Sequence, residues 1–97
     1  MGRKIEFCIV PPGEFWTNER QPGLVRHEIF FGPYRQKSIR LGLVVFLTPE
    51  MHNMSNLAVH NHRGNDLFLK RVGQRAAMDY YGWSTEEFIS WFGKNYL

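Results

Sequence analysis

Two short apolar runs constrain the fold of this 97-residue chain more than any other feature. They are Leu24 to Phe31 (LVRHEIFF) and Leu43 to Leu47 (LVVFL), and a polar, basic connector from Gly32 to Gly42 separates them. Runs of about four to eight apolar residues bounded by glycine and proline are typical of strands. If the two runs pair as a hairpin, the segment after the second strand can fold back across the first.

Helical patterns follow the second run. Thr48 and Pro49 resemble the N-cap and first residue of a short helix that would carry His52. A longer helix is predicted over Asn65 to Tyr81, and a final one after Ser84, which begins a capping box. In the longer helix every fourth residue is apolar, which predicts one buried stripe. The stripe consists of Phe68, Val72, Ala76 and Tyr80, with Leu69 beside it. The opposite, polar side would carry Lys70, Arg71, Gln74, Arg75 and Asp79.

The segment before the hairpin divides into two parts. Lys4 to Val10 is rich in strand-forming residues, and Pro11 to Gly23 has the proline and glycine content of a loop. Hydrophobic residues make up 43% of the chain, which is enough for a packed core. The length favours a single domain over residues 1–97, with a core at about 24–62 and a helical part at about 65–97. The predicted fold class is α+β.

Charge and cysteine content narrow the function classes. The formal net charge is +3, which permits contact with a polyanion without requiring it. Cys8 is the only cysteine, so an internal disulfide and a cysteine-based zinc cage are both excluded. The sequence has no signal-peptide pattern and no run approaching the ~20 apolar residues of a membrane span. We therefore expect a cytoplasmic protein with no membrane partner.

Histidines are the strongest chemical signal. His52, His60 and His62 lie within eleven residues, and His27 precedes them by one connector and one strand. Folding back over a hairpin would bring His52 and His60 toward His27. Neutral imidazoles are good ligands for zinc, nickel, manganese or iron, and two or three of them with open positions make a catalytic site. His62 is more simply interpreted as a surface or hydrogen-bonded residue.

Glu28 stands beside His27 in the first run. Neighbouring residues of a regular strand point to opposite faces, so both can serve one site only if the strand bends or ends there. The following Phe-Phe-Gly-Pro makes such an ending plausible. A zinc-protease His-Glu-x-x-His motif is excluded, because position 31 is Phe31 and the local pattern is not helical.

A longer pattern carries a family resemblance. In chain order the sequence has His27-Glu28-Ile29, Arg35 and Ser38, Gly42-Leu43, Pro49 to His52, Val59-His60, Leu69-Lys70, Gln74 and Phe92 to Leu97. The order and spacing resemble small phage and prophage proteins related to the HNH (His-Asn-His) endonucleases, over roughly residues 27–97. The resemblance implies a ββα-metal core, in which a β-hairpin and a helix hold one divalent cation (Mg, Mn, Ni or Zn), with additional C-terminal helices.

The resemblance also implies roles for individual residues. His27 falls on the first residue of the family's His-His pair, a metal ligand, and Glu28 falls on the second, the general base. His52 and His60 fall on the two helix-side ligands. The opposite assignment is also open, with Glu28 as a ligand and His27 as the base, because a carboxylate with an ordinary pKa near 4.3 is a weak base.

The sequence departs from the family pattern in two other places. Gly42-Leu43 replaces the asparagine before the second strand. Thr48 to Met51 replaces a Cys-x-x-Cys, so no structural zinc is expected.

Three functions follow from these patterns. The first is a phage-derived, metal-dependent endonuclease acting on DNA. The second is a catalytically degenerate relative that binds nucleic acid or inhibits a host protein, and the third is a structural or oligomerising phage component. The basic side chains predicted to contact phosphates are Arg35, Lys37, Arg40, Lys70 and Arg71, although a solvated charged face would have the same composition.

Overall fold

The computed structural model describes residues 7–97 and has an α+β architecture. A two-stranded antiparallel sheet lies against two C-terminal helices, and a short helix joins the two strands. The elements are β1 (Val25–Glu28), a 3-10 turn (Gly32–Tyr34), α1 (Arg35–Arg40), β2 (Val44–Leu47), a π-helical turn (Glu50–Met54), α2 (Arg63–Tyr81) and α3 (Thr85–Phe92).

The hairpin forms between the two apolar runs, as the sequence predicted. Its register pairs Val25 with Leu47 and Glu28 with Val44. Every residue of β2 is buried, which explains why this run has no polar member. Strand β1 is shorter than the predicted run, because its ladder ends soon after Glu28 and the chain turns away at Gly32, which has a φ of 66°. That positive φ favours glycine.

The basic connector is helical, and Ser38 joins it to both strand ends. The Ser38 hydroxyl accepts a hydrogen bond from the Phe30 backbone N–H at 3.1 Å and donates one to the Leu43 carbonyl at 2.6 Å. Ser38 is fully buried. Its side chain therefore closes the hairpin where the main-chain ladder stops.

Replacing Ser38 with alanine is expected to destabilise the fold by about 2–3 kcal/mol, because it leaves the buried Phe30 N–H without its partner. Urea denaturation followed by circular dichroism measures this loss. Ser90→Ala is the matched control, since Ser90 is exposed and bonds only the Glu87 carbonyl of its own helix. A Ser38→Ala midpoint equal to that of the control would contradict the bridging role.

Helix α2 buries a different face from the one predicted. Phe68 and Tyr80, at the two ends of the predicted stripe, are exposed (Tyr80 by 60%), whereas Val72 and Ala76 are half-buried against the core. The prediction was wrong because the helix packs on the core through Gly73, where a Cβ would lie 3.0 Å from Cγ2 of Ile29. A hydrophobic repeat does not register glycine as a contact position. The buried residues of α2 are Leu69, Lys70, Gly73, Gln74 and Ala77.

The C-terminal end closes the core with aromatic rings. Ser84 begins α3 with the predicted capping box, and Gly93 ends it with a φ of 88°. Phe30, two residues beyond β1, packs on Phe92 and Phe88 at ring-centroid distances of 4.5 and 5.4 Å. These contacts bind α3 to the strand that carries His27.

The segment before the hairpin is irregular. The predicted strand from Lys4 to Val10 is absent over the described residues 7–10, and its first three residues lie outside the described part of the chain. A single bridge pairs Thr17 with Phe46, which covers the outer edge of β2. The Trp16 indole N–H donates to the Pro11 carbonyl at 2.8 Å and fixes the loop between them.

Candidate metal centre

His27 is the buried member of the candidate site. It lies on β1 opposite Val45, and only 1% of its surface is exposed. Its Nε2 atom is buried and has no hydrogen-bond partner among the described residues. Buried polar atoms are almost always paired, so an unpaired ring nitrogen requires an explanation such as an ion.

His52 and His60 come from one folded segment after β2. The Thr48 hydroxyl accepts a hydrogen bond from the Met51 N–H, as its predicted capping role requires, and His52 lies in the π-helical turn. The chain then returns, and the Val59 and His60 N–H groups donate to the carbonyls of Met51 and His52 at 2.7 and 3.3 Å. This backbone pairing places the two imidazoles side by side.

The loop between the two histidines is held by asparagine side chains. The Asn61 amide donates to the carbonyls of Asn53 and Ser55, each at 3.0 Å. The Asn65 amide, from α2, donates to the Leu57 carbonyl at 2.7 Å. The loop that carries His52 and His60 is therefore held by hydrogen bonds within the loop and by one hydrogen bond from the first turn of α2.

The three imidazoles converge. One ring nitrogen from each of His27, His52 and His60 lies within 4.8 Å of the other two. Ring centroids are 5.0 Å apart for His27 and His60, and 5.6 Å apart for His27 and His52. The Nε2 atoms of His52 and His60 are 3.2 Å apart. The three predicted metal ligands are thus close enough to hold one ion.

The electrostatics of the site favour neutral imidazoles. Burial, reinforced by the charges of His60, His52 and Lys70, lowers the pKa of His27 to about 3. Burial and His60 also lower the pKa of His52, against an opposing effect of Glu28. A neutral imidazole keeps a nitrogen lone pair free for a metal. The neutral imidazoles of His27 and His52 therefore suit a metal ion as ligands, and the Nε2 of His27 is buried without a partner among the described residues.

Glu28 does not join the cluster of three histidines. Its carboxylate forms ion pairs with two arginines, Oε2 with Arg26 Nε at 2.9 Å and Oε1 with Arg35 Nε at 3.3 Å. Glu28 is therefore near enough to act on His52 electrostatically, although its carboxylate is held by the two arginines rather than by the cluster. Their assignment as the catalytic pair stays a prediction.

Lys70 and Phe31 form one wall of the site, which the sequence did not indicate. Lys70 is only 7% exposed and pairs with Asp66, so its predicted position on the polar face of α2 was wrong. Burial lowers the pKa of Lys70, and the Asp66 carboxylate opposes that shift. The ammonium lies 3.8 Å from the centre of the Phe31 ring, which is 5.0 Å from the His60 ring. Lys70 thus contributes a positive charge next to the histidines.

The remaining candidate residues are distributed more widely. The His62 side chain accepts a hydrogen bond from the Asn65 N–H and caps α2, which agrees with its interpretation as a hydrogen-bonded residue. Lys37 is half-buried and donates to the Trp91 carbonyl at 3.0 Å. Arg40 and Arg71 are exposed. Nucleic-acid contact by the basic residues stays a prediction.

Comparisons with known proteins add no relative: no family model, no curated protein and no solved structure matches this chain. Within residues 7–97, no helix has the length and apolar character required to cross a membrane. The histidine cluster is therefore the feature of the described chain that most directly indicates a function.

Proposed function

We propose that this chain is a metal-dependent nuclease of the HNH type that hydrolyses DNA phosphodiester bonds. The observation that carries the proposal is the convergence of three histidines around the buried, unpaired Nε2 of His27. The hairpin supplies His27, and the turns between β2 and α2 supply His52 and His60, which the resemblance implied would come from a helix.

The donor set narrows the choice of metal. Three imidazole nitrogens suit Zn²⁺, Ni²⁺ or Mn²⁺ better than Mg²⁺, which prefers oxygen ligands and retains several waters. Three protein ligands also leave coordination positions open, which is typical of catalytic rather than structural sites. We therefore expect Mg²⁺ to be the weakest of the four candidate ions.

In this function His27, His52 and His60 hold the cation, and Lys70 adds fixed positive charge beside them. When bound, the ion would neutralise charge on the scissile phosphate and stabilise the leaving oxygen. Glu28 is the group proposed to take a proton from the attacking water, and Arg26 and Arg35 fix the direction of its carboxylate. The exposed Arg40 and Arg71 supply sequence-independent contacts to phosphates.

The arginine pairing of Glu28 favours a second candidate function. Each carboxylate oxygen already accepts a hydrogen bond from a guanidinium group, so two of the roughly four acceptor sites of the carboxylate are engaged and fewer are left to take a proton from water. A chain with this arrangement would keep the metal centre and a basic surface but lack an effective base. This candidate is a non-catalytic protein that binds nucleic acid or inhibits a host protein.

A plasmid-nicking assay separates the two functions. Supercoiled plasmid is incubated with the protein and Zn²⁺, Ni²⁺, Mn²⁺ or Mg²⁺, and EDTA is added to a parallel series. We expect relaxed circles with Zn²⁺, Ni²⁺ and Mn²⁺ and none in the EDTA series. The Glu28→Gln variant should cleave at least about 100-fold more slowly than wild type. His62→Asn, which removes an imidazole outside the cluster, should cleave at the wild-type rate.

The non-catalytic function predicts a different set of results. If no ion supports cleavage while calorimetry shows metal binding and a salt-sensitive gel shift shows DNA binding, the chain is the non-catalytic form. If the protein neither cleaves nor binds DNA, the result would favour a protein partner over nucleic acid.

A further inference from the structure

Lys70 is a buried charge beside the candidate metal centre. It is one of the five buried residues of α2, and only 7% of its surface is exposed. Its ammonium lies over the Phe31 ring, which is 5.0 Å from the His60 ring and 6.0 Å from the His27 ring. Burial is the main cause of the low pKa of His27, and the charge of Lys70 contributes to it. Lys70 therefore lies within electrostatic range of the histidines.

The ion pair with Asp66 does not explain why this lysine is buried. Asp66 lies four residues before Lys70 on the same helix, and a pair at that spacing forms equally well on an exposed face, without loss of hydration. An ammonium has three N–H donors, and Asp66 is the only acceptor bonded to it among the described residues. Even with the Phe31 ring against it, the ammonium therefore keeps donor capacity for a ligand that enters the site. His60 and Phe31 are exposed, so the site is open on this side.

The ligand set leaves the charge of a metal ion unbalanced. All three members of the cluster are imidazoles, and no carboxylate among the described residues joins them. Two carboxylates near the cluster already have cationic partners, Glu28 in Arg26 and Arg35, and Asp66 in Lys70. A divalent ion held here would therefore keep its positive charge, and its open coordination positions would attract an anion.

We propose that the metal centre binds a phosphate monoester, with one phosphate oxygen on the ion and another on the Lys70 ammonium. Such binding rests on the metal centre of the proposed function but not on its hydrolytic step. A monoester carries a charge of about −1.5 to −2 at about pH 7, whereas a diester carries a single negative charge, so the positively charged site favours the monoester. Hydrolysis of a phosphodiester leaves a monoester at one of the two new DNA ends. The centre would therefore retain the phosphorylated end of cleaved DNA and be inhibited by it.

Calorimetric titration of the zinc-loaded protein with methyl phosphate and with dimethyl phosphate tests the preference for monoesters. These two ligands differ by one methyl group and about one negative charge. We expect methyl phosphate to bind at least about tenfold more tightly, because the second charge strengthens its contacts with the ion and with Lys70. The comparison uses wild type alone and does not depend on the folding of any variant.

Lys70→Met tests the direct contact, because methionine keeps a flexible, unbranched side chain in the buried position. The variant should bind methyl phosphate at least about tenfold more weakly than wild type, the usual effect of losing a hydrogen bond to a charged group. Its zinc affinity without phosphate should be unchanged or higher, because a positive charge beside the ion is removed. A merely structural role of Lys70 would lower the zinc affinity instead. Arg75→Met is the matched control, since it removes a positive charge from an exposed position of the same helix.

The results separate monoester binding from nuclease activity. Equal affinities for methyl phosphate and dimethyl phosphate would overturn the preference for monoesters. Wild-type affinity for methyl phosphate in Lys70→Met, or an equal loss in Arg75→Met, would overturn the contact with Lys70. A protein that binds zinc and methyl phosphate but leaves plasmid uncut would support monoester binding and refute the nuclease function. A protein that nicks plasmid without preferring the monoester would do the reverse, and failure to bind zinc would overturn both.

Discussion

Replacing His52 or His60 with alanine is expected to lower zinc affinity by about 100-fold or more. Loss of a supporting group around a metal ligand already lowers affinity by about 10–100-fold, so loss of a ligand has at least the larger effect. At free zinc 100 times the wild-type Kd, wild type gains about 2.7 kcal/mol of stability. A variant with 100-fold weaker binding gains only about 0.4 kcal/mol under the same conditions.

The stability difference is measurable as a shift in Tm. For a domain of this size a gain of about 2.7 kcal/mol raises Tm by roughly 10–20 °C. Thermal denaturation with zinc and with chelator, combined with calorimetric titration, gives both quantities for each variant.

His62→Asn is the matched control for the zinc experiment. It also removes one imidazole, but His62 lies outside the cluster, and asparagine is a good N-cap for α2. The control should therefore bind zinc like wild type. Equal zinc affinity in His52→Ala, His62→Asn and wild type would show that the three histidines do not form a metal site.

Replacing Phe30 with alanine is expected to cost about 3–5 kcal/mol, the usual penalty for removing a large aromatic ring from a core. The ring is 2% exposed and packs on Phe92, Phe88 and Tyr96. Small domains are stable by only about 5–15 kcal/mol, so this variant should lose much of its cooperative unfolding. Urea denaturation followed by tryptophan fluorescence reports the change, because Trp91 lies on α3.

Phe30→Leu separates the loss of volume from the loss of the aromatic contact. It keeps most of the apolar side chain and should cost less than about 1.5 kcal/mol. If the alanine variant unfolds near the wild-type urea concentration, the packing of α3 on Phe30 contributes less than the ring distances indicate.

The hairpin and the histidine cluster were predictable because local patterns encode them. Two apolar runs bounded by glycine gave the strands, and the spacing of His52 and His60 after the second run indicated where their side chains would return. The start of α3 was equally predictable, because the capping box at Ser84 is a local pattern.

Other features depend on packing between distant elements. The buried face of α2 is set by its close approach to Ile29 at Gly73, and a repeat of apolar residues contains no information about that approach. Lys70 is buried because Asp66 neutralises it and Phe31 covers it, and both partners become visible only in three dimensions. The pairing of Glu28 with Arg35 likewise depends on where α1 begins.

The separation of the three histidines along the chain has a consequence for folding kinetics. His52 and His60 are eight residues apart, and a loop of about ten residues closes in roughly 10–100 ns. His27 lies 25 residues before His52 and joins them only after the hairpin has formed, on the slower timescale of microseconds. In an unfolded chain these two imidazoles therefore meet each other more often than either meets His27. If zinc is the ion of the proposed site, zinc added during refolding is expected to meet this pair first, and its binding by His27 would then report that β1 has formed.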